Sequence, residues 1–312
     1  MPFRSGFVSI IGRPNAGKST LLNALVGEKL AIVTRKPQTT RNRIQGIVNV
    51  EGKGKRAIGQ IVLVDTPGVH KPINTLNRRM MKEVYDALEG CDLLLLIIDA
   101  TEKFGTGDRF VLDIVKKSGQ KTFLLLNKID KLNKQELLPL IGQYRELHDF
   151  ADVIPISAMK GDGLATLMKL VVGALPEGPR YFPKDQVTDQ PERFLVAELI
   201  REQVLLATEQ EVPYATTVLI DQYEEGTKLT RIAATIFCER EGQKAILIGK
   251  QGSTLKKIGT AARLQIERRL NTKVFLELFI KVRPGWRDSR QFVEETDWRM
   301  QLGRMSDREP TE

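Results

Sequence analysis

The sequence predicts an α/β protein in two parts, a doubly wound and mostly parallel sheet with one antiparallel strand, then a smaller α+β domain. Three observations carry this. Through the first half, short aliphatic runs alternate with stretches whose apolar residues recur every three to four positions. A stretch with Pro176, Gly178, Pro179, Pro183 and Pro191 and little apolar periodicity then interrupts the pattern, and beyond it the elements come in another order. At 312 residues the chain also exceeds the size at which one core usually keeps growing.

The aliphatic runs Phe7 to Ile11, Ile61 to Val64, Leu93 to Ile98, Phe123 to Leu126 and Val153 to Ile156 read as buried parallel strands. Helices are expected over Ser19 to Leu25, Leu76 to Leu88, Asp108 to Lys117, Lys134 to His148 and Leu164 to Leu175. Arg43 to Val50 and Gln60 to Val64 flank Glu51-Gly52-Lys53-Gly54 as an antiparallel hairpin, which supplies the reversed strand. Beyond the prolines, a helix over Glu192 to Ala207 leads into strands near Thr216 to Tyr223 and Thr230 to Phe237. A short helix ending at Gly249, a longer one from Ser253 to Leu270 and a strand over Val274 to Val282 complete an αββααβ order. The expected boundaries are 1–178 for the first domain, 179–190 for a linker, 191–290 for the second domain and 291–312 for a tail; from Trp286 onward no element is assigned.

Composition narrows the function classes. The longest aliphatic run, Leu93 to Ile98, is far short of the roughly 20 apolar residues that span a bilayer. No cleavage-like pattern follows Phe7 to Ile11, so export is not indicated. Cys91 and Cys238 fall in different domains and His70 and His148 are the only histidines, which argues against a disulfide framework or a zinc site and for a reducing cytosol. The formal charge is +9, divided as +8 over residues 1–178 and +1 over 179–312. Clustering is more informative than the total. Arg240 to Lys273 holds nine basic and two acidic residues, and Arg35 to Arg56 seven basic and one acidic.

Gly12-Arg13-Pro14-Asn15-Ala16-Gly17-Lys18-Ser19 fits G-x-x-x-x-G-K-[ST] between an expected strand and an expected helix. Such a loop turns main-chain N–H groups around a phosphate at a helix start, Lys18 reaches the outer phosphates, and Ser19 is a ligand for Mg²⁺. Asp65-Thr66-Pro67-Gly68 and Val69 follow the next strand at the same sheet edge. Asp65 can hold the metal through a water and Gly68 can offer its N–H to a γ-phosphate. Asn127-Lys128-Ile129-Asp130 follows a third strand. The Asp130 carboxylate can accept from N1–H and the 2-amino group of guanine, whereas adenine would leave it unpaired at a cost of roughly 1–3 kcal/mol per group. Asn127 would tie this loop to the phosphate loop, the Lys128 stem can cover a face of the base, and Ser157-Ala158 would supply a main-chain N–H to the base carbonyl.

With those motifs in that order, the first 175 or so residues resemble the translation-factor-class (TRAFAC) GTPases. The resemblance implies a P-loop GTPase domain that uses GTP/GDP and Mg²⁺, with Gln38-Thr39-Thr40-Arg41 in the first switch. One of the two threonines would ligate Mg²⁺; similarity to relatives with a T-T-R segment favours Thr40 and leaves Thr39 open. Lys18, Thr40 and Gly68 are then the catalytic group. Val69 departs from Ras-like GTPases, which place a water-orienting glutamine after the D-x-x-G glycine, so slow unaided hydrolysis is expected. A lone His70 is more simply a solvated switch histidine. Asn15 resembles the asparagine with which related GTPases hold K⁺ near the phosphates.

In the second domain, Ile248-Gly249-Lys250-Gln251-Gly252 sets G-x-x-G between two expected helices. Lys244, Lys256, Lys257, Arg263, Arg268, Arg269 and Lys273 surround it, some of them simply solvating a helix face. The glycines allow a sugar–phosphate backbone to approach, and Lys250, Lys256 and Lys257 supply charge. This unit is similar to a type II KH domain. A GTPase domain followed by such a unit, ending in Lys281-Val282-Arg283-Pro284-Gly285-Trp286, resembles the Era family of bacterial ribosome-assembly GTPases from about Phe7 to Trp286. That resemblance implies a monomer that binds 16S rRNA, assists 30S subunit maturation in the cytoplasm and associates peripherally with the cell membrane. Two rivals make other predictions: a protein-docking second domain tolerates Gly252→Asp, and an ATP-using enzyme admits ATP as readily as GTP.

Overall fold

The computed structural model describes residues 2–52 and 57–300. Its elements in chain order are β1 (Arg4–Ile11), α1 (Lys18–Val26), β2 (Ile44–Glu51), β3 (Ala57–Asp65), α2 (Thr75–Glu89), β4 (Leu93–Asp99), α3 (Thr106–Ser118), β5 (Thr122–Asn127), α4 (Lys134–Leu147), β6 (Asp152–Pro155) and α5 (Leu164–Ala174). They continue with α6 (Glu192–Ala207), β7 (Thr217–Glu224), β8 (Leu229–Cys238), α7 (Glu241–Ile248), α8 (Ser253–Leu270), β9 (Lys273–Val282) and α9 (Arg290–Glu295). Contacts divide the chain into two compact units, Met1–Pro72 with Arg79–Asp189, and Ile73–Arg78 with Gln190–Glu312.

The first unit is built on a six-stranded sheet of order β2-β3-β1-β4-β5-β6. Only the β2/β3 pair is antiparallel. This is the reversed strand that the hairpin reading expects; the turn residues 53–54 of that reading lie outside the described residues. Leu93 through Ile98 are all buried, because a central parallel strand is covered on both faces, which is why it reads as an unbroken aliphatic run. Fully burying each such side chain contributes about 1.5–3 kcal/mol. Met81, Val84 and Leu88 of α2, Val111, Ile114 and Val115 of α3 and Tyr144 of α4 form one core with Leu94, Leu96, Leu124 and Leu126.

The proline-rich connector is docked rather than free. Gln60, fully buried on β3, accepts from the N–H groups of Tyr181 (2.9 Å) and Phe182 (3.0 Å) and donates to the Phe182 carbonyl (2.9 Å). Ile47 N–H donates to the Val187 carbonyl at 2.8 Å and the Thr188 hydroxyl to the Gln45 carbonyl at 2.6 Å. Residues 181–188 thus satisfy backbone groups of the edge strand β2.

The second unit has the order β7-β8-β9, antiparallel then parallel. Its core joins Val196 and Ile200 of α6, Leu247 of α7 and Ile258, Ala262 and Ile266 of α8 to Ile232, Ala234 and Ile236 of β8. The alternating burial along β9 marks a sheet covered by helices on one face. Trp286 is fully buried, its Nε1–H donating to the Ala215 carbonyl at 2.8 Å, and Phe292 of α9 packs against it. That short helix falls in the segment to which the sequence assigned no element; residues 301–312 of the expected tail lie outside the described residues.

Candidate functional site

Parallel strands aim their carboxyl ends at one edge of the sheet, and the sequence places its polar motifs there. The loop after β1 runs from Gly12 to Gly17 into α1, whose first residue is Lys18. Gly17 has φ 106°, in the left-handed region, and a Cβ there would sit 2.1 Å from Asn127 Nδ2, so both the turn and the close approach require glycine. Lys18 is buried, and its ammonium donates to the carbonyls of Gly12 (3.0 Å) and Arg13 (2.9 Å). Burial pulls its pKa down to about 8, against the opposing pull of the Asp65 charge. Arg13 points away to Asp108 at 2.8 Å, and Asn15 donates to the Arg35 carbonyl at 3.0 Å, which ties the loop to the segment that precedes Gln38.

Ser19, Thr40 and Asp65 converge. Ser19 Oγ lies 2.6 Å from Asp65 Oδ2 and 2.8 Å from Thr40 Oγ1, and Thr40 Oγ1 donates to the same carboxylate oxygen at 3.4 Å. The Thr39 hydroxyl instead donates to the Lys36 carbonyl at 2.7 Å. Asp65 is fully buried, and its Oδ1 has no hydrogen-bond partner among the described residues. Burial pushes its carboxyl up to about 6, although Lys18 and the two hydroxyls oppose the shift. An all-oxygen set with an orphaned buried carboxylate oxygen fits a hard divalent cation such as Mg²⁺.

Beyond Asp65, the Thr66 hydroxyl donates to the Ile10 carbonyl at 2.7 Å. Val69 is buried in the core, its N–H donating to the Gly12 carbonyl at 3.1 Å. His70 contacts the Gly68 carbonyl through Nδ1 at 2.8 Å and Gln38 Nε2 through Nε2 at 3.3 Å. Because a carbonyl can only accept, Nδ1 carries the proton and Nε2 accepts from Gln38. His70 therefore links the Gln38 segment to the loop after β3 rather than standing solvated.

The loop after β5 is held from two sides. Asn127 Nδ2 donates to the Ala16 carbonyl at 2.8 Å, and Asn127 Oδ1 accepts from Ala158 N–H at 2.9 Å. Asp130 Oδ1 accepts from the Ser157 hydroxyl at 2.7 Å, while the half-buried Ile129 donates its N–H to the Ile156 carbonyl at 3.3 Å. The N–H groups of the Ser157-Ala158 pair are engaged inside the protein, Ser157 N–H with the Asp162 carbonyl at 3.0 Å and Ala158 N–H with Asn127. What this pair presents to the loop is the Ser157 hydroxyl on Asp130.

In the second unit the G-x-x-G segment joins α7 to α8. Gly249 has φ 72°, and a Cβ there would lie 2.2 Å from Thr254 Oγ1. Ile248 closes α7, and Lys250 and Gln251 project at an exposed bend in which Gln251 has φ 51°. A groove of about 410 Å³ opens between α8 and β9, lined by Gly252, Leu255, Lys256, Arg263, Leu276 and Leu278. Some of the clustered cations are engaged in ion pairs. Arg269 pairs with Glu192 at 2.7 Å and Arg263 with Glu267 at 2.9 Å, whereas Lys250, Lys256 and Lys257 are exposed.

A family model described as a 50S ribosome-binding GTPase matches residues 7–128, and a KH-domain model matches residues 211–287. GTPase Era of Syntrophus aciditrophicus (strain SB) is 49% identical over 295 residues, covering 94% of this chain and 94% of its own. GTPase Era of Geobacter metallireducens is 50% identical over 296 residues, covering 94% and 97%. The chain belongs to the Era GTPase family. Two solved Era structures are similar to this Era-family chain, both with TM-score 0.89 and 38% identity. One is a variant of Aquifex aeolicus Era bound to GDP and AlF₄⁻, covering 93% of this chain and 98% of its own. The other is Era in complex with MgGDPNP and nucleotides 1506–1542 of 16S ribosomal RNA, covering 94% and 98%. As an Era-family protein the chain is a GTPase joined to a KH domain.

Sequence reasoning on this Era-family chain passed over one group at the base loop. Asp99, the last residue of β4, accepts from the Lys128 ammonium. Its only sequence signal is an acidic residue that ends an aliphatic strand.

Proposed function

We propose that this chain binds GTP at the carboxyl edge of its first sheet, hydrolyses it slowly with Mg²⁺, and binds 16S rRNA through the KH domain to assist maturation of the 30S subunit. The observation that carries the reading is the Asp130 carboxylate, held by Ser157 in a loop that Asn127 ties to the phosphate loop. A fixed acceptor pair selects guanine, and the tie sets the distance from base to phosphates. The rRNA complex of a 38% identical Era protein supports the RNA partner.

In this reading, residues 12–19 and 65–69 line the triphosphate, and Lys18 leaves its two carbonyl partners for the outer phosphates. Ser19 and Thr40 would ligate Mg²⁺, with Asp65 behind them through a water. The orphaned Asp65 oxygen supports that arrangement, and the Thr39 hydroxyl is occupied with Lys36. The bound metal would neutralise charge on the β- and γ-phosphates. Gly68 would donate its N–H to the γ-phosphate, so that Lys18, Thr40 and Gly68 stabilise the transferring group. No side chain at position 69 orients the attacking water. Asn15 would hold K⁺ beside the phosphates, and equal turnover in KCl and NaCl removes that role.

Ile248 to Gly252, with Lys256 and Lys257, would grip unpaired rRNA along the groove, where the glycines admit the backbone and the lysines meet phosphates. The chain acts as a monomer in the cytoplasm, where its ribosomal partner resides. Peripheral membrane association stands on the family resemblance; among the described residues no helix is long and apolar enough to cross a membrane. Crosslinking to RNA in lysate, with GTP analogue or GDP present, tests the whole reading. Recovery of 16S rRNA is expected, and recovery of none overturns it. ATP competing as well as GTP overturns the base assignment.

A further inference from the structure

The ends of β4 and β5 lie side by side at the base loop. Asp99 pairs with Asn127 in the parallel register, and Ala100 N–H donates to the Asn127 carbonyl at 2.9 Å. The two oxygens of the Asp99 carboxylate have separate tasks. Oδ1 accepts from the Thr101 N–H at 3.0 Å and from the Thr101 hydroxyl at 2.6 Å, while Oδ2 accepts from the Lys128 ammonium. The Lys128 and Asp99 side chains are 27% and 16% exposed, so the pair is largely withdrawn from screening water. Lys128 itself has φ 68°, uncommon for a residue with a side chain. Its backbone is displaced from the usual region and its ammonium is tethered, which leaves the aliphatic stem little freedom.

We infer that Asp99 is a positioning residue for the base site: by tethering Lys128 it fixes the lysine stem as a wall of the purine pocket and so lengthens the residence of bound guanine nucleotide. The inference rests on the reading of residues 127–130 as the guanine loop. A lysine without this tether has several rotatable bonds to order at the moment of binding, and that cost falls on affinity. The Asp99 carboxyl is suited to the task. Burial pushes its pKa up, but the hydrogen bonds from Lys128 and Thr101 outweigh burial and leave it below the ordinary carboxylate range, so it stays charged near neutral pH.

The test is the dissociation rate of fluorescent GDP from the full chain, measured for Asp99→Asn, Lys128→Met and the double variant, with the melting temperature of each nucleotide-free protein. Asp99→Asn is expected to speed release about tenfold, Lys128→Met by a similar factor, and the double variant no more than Lys128→Met, because one residue acts through the other. Release within about twofold of wild type for Asp99→Asn, or single effects that multiply in the double variant, overturns the inference. If Asp99→Asn fails to fold, Thr101→Val, which removes one donor at an exposed position, is expected to speed release about threefold, and an unchanged rate counts against the tether. Asp130→Asn is the control for the loop itself. It should exchange preference for GDP for preference for XDP, and persistence of GDP preference removes the guanine-loop reading and this inference with it.

Discussion

Asn127 and Ala16 are joined by a 2.8 Å hydrogen bond that crosses 111 residues of sequence, from the side chain of one nucleotide loop to the main chain of the other. The same amide accepts from Ala158, so a single buried side chain sets the spacing of three loops. Asn127→Ala leaves a buried carbonyl and a buried N–H without partners, at about 1–3 kcal/mol each. The expected outcome is GDP affinity at least about tenfold weaker and a lower melting temperature, read by calorimetry with and without nucleotide.

Gly17→Ala makes a sharper case. The new methyl would meet Asn127 Nδ2 at 2.1 Å in a backbone conformation that alanine rarely adopts. Loss of detectable nucleotide binding is expected, with the far-ultraviolet circular dichroism retained. Binding at wild-type affinity would show that the loop can open without cost.

Asp65 gives the nucleotide-free protein a pH signature. Its folded carboxyl is raised to about 6, above the ordinary unfolded value, so the folded state holds the proton more tightly. That contribution is present at low pH and is lost as the pH rises from about 4 through about 6, a difference of up to about 3 kcal/mol. Lys18, at about 8, stays charged across the window. Denaturant titrations from pH 4.5 to 7 should show the slope in wild type and not in Asp65→Asn; parallel curves would refute the buried, proton-retaining carboxyl.

At the KH loop, a side chain on Gly252 meets nothing within 4 Å. Gly252→Asp therefore adds a negative charge at a left-handed position, costing about 1 kcal/mol of backbone strain without a clash. The protein should fold, hydrolyse GTP and lose crosslinking to single-stranded rRNA. Removing Lys256 and Lys257 together should lower the slope of log affinity against log salt by about 1–2, as expected for lost phosphate contacts. An unchanged slope would assign those lysines to solvation alone.

The sheet-edge placement of the candidate nucleotide loops was legible because each is a short motif at the end of an aliphatic run. The KH order was legible for a similar reason, since α6 and α8 have the expected bounds. What sequence could not supply depends on register and on polar groups in apolar places. Asp99 reaches Lys128 only through the β4/β5 pairing. Gln60 lies inside an aliphatic strand, and nothing local says that it fastens the connector. The N–H groups of Ser157 and Ala158 are engaged with Asp162 and Asn127, partners fixed by the fold and not by the dipeptide. The α9 segment is six residues long and draws its stability from Phe292 against Trp286.

Val69 follows the Asp65-Thr66-Pro67-Gly68 turn and is only 3% exposed, its side chain committed to the hydrophobic interior. In the proposed reading, a protein whose position 69 is closed in this way has only a slow internal clock. A partner that supplied the missing water-orienting group would then shorten the lifetime of the triphosphate form, so that turnover would track docking more than elapsed time.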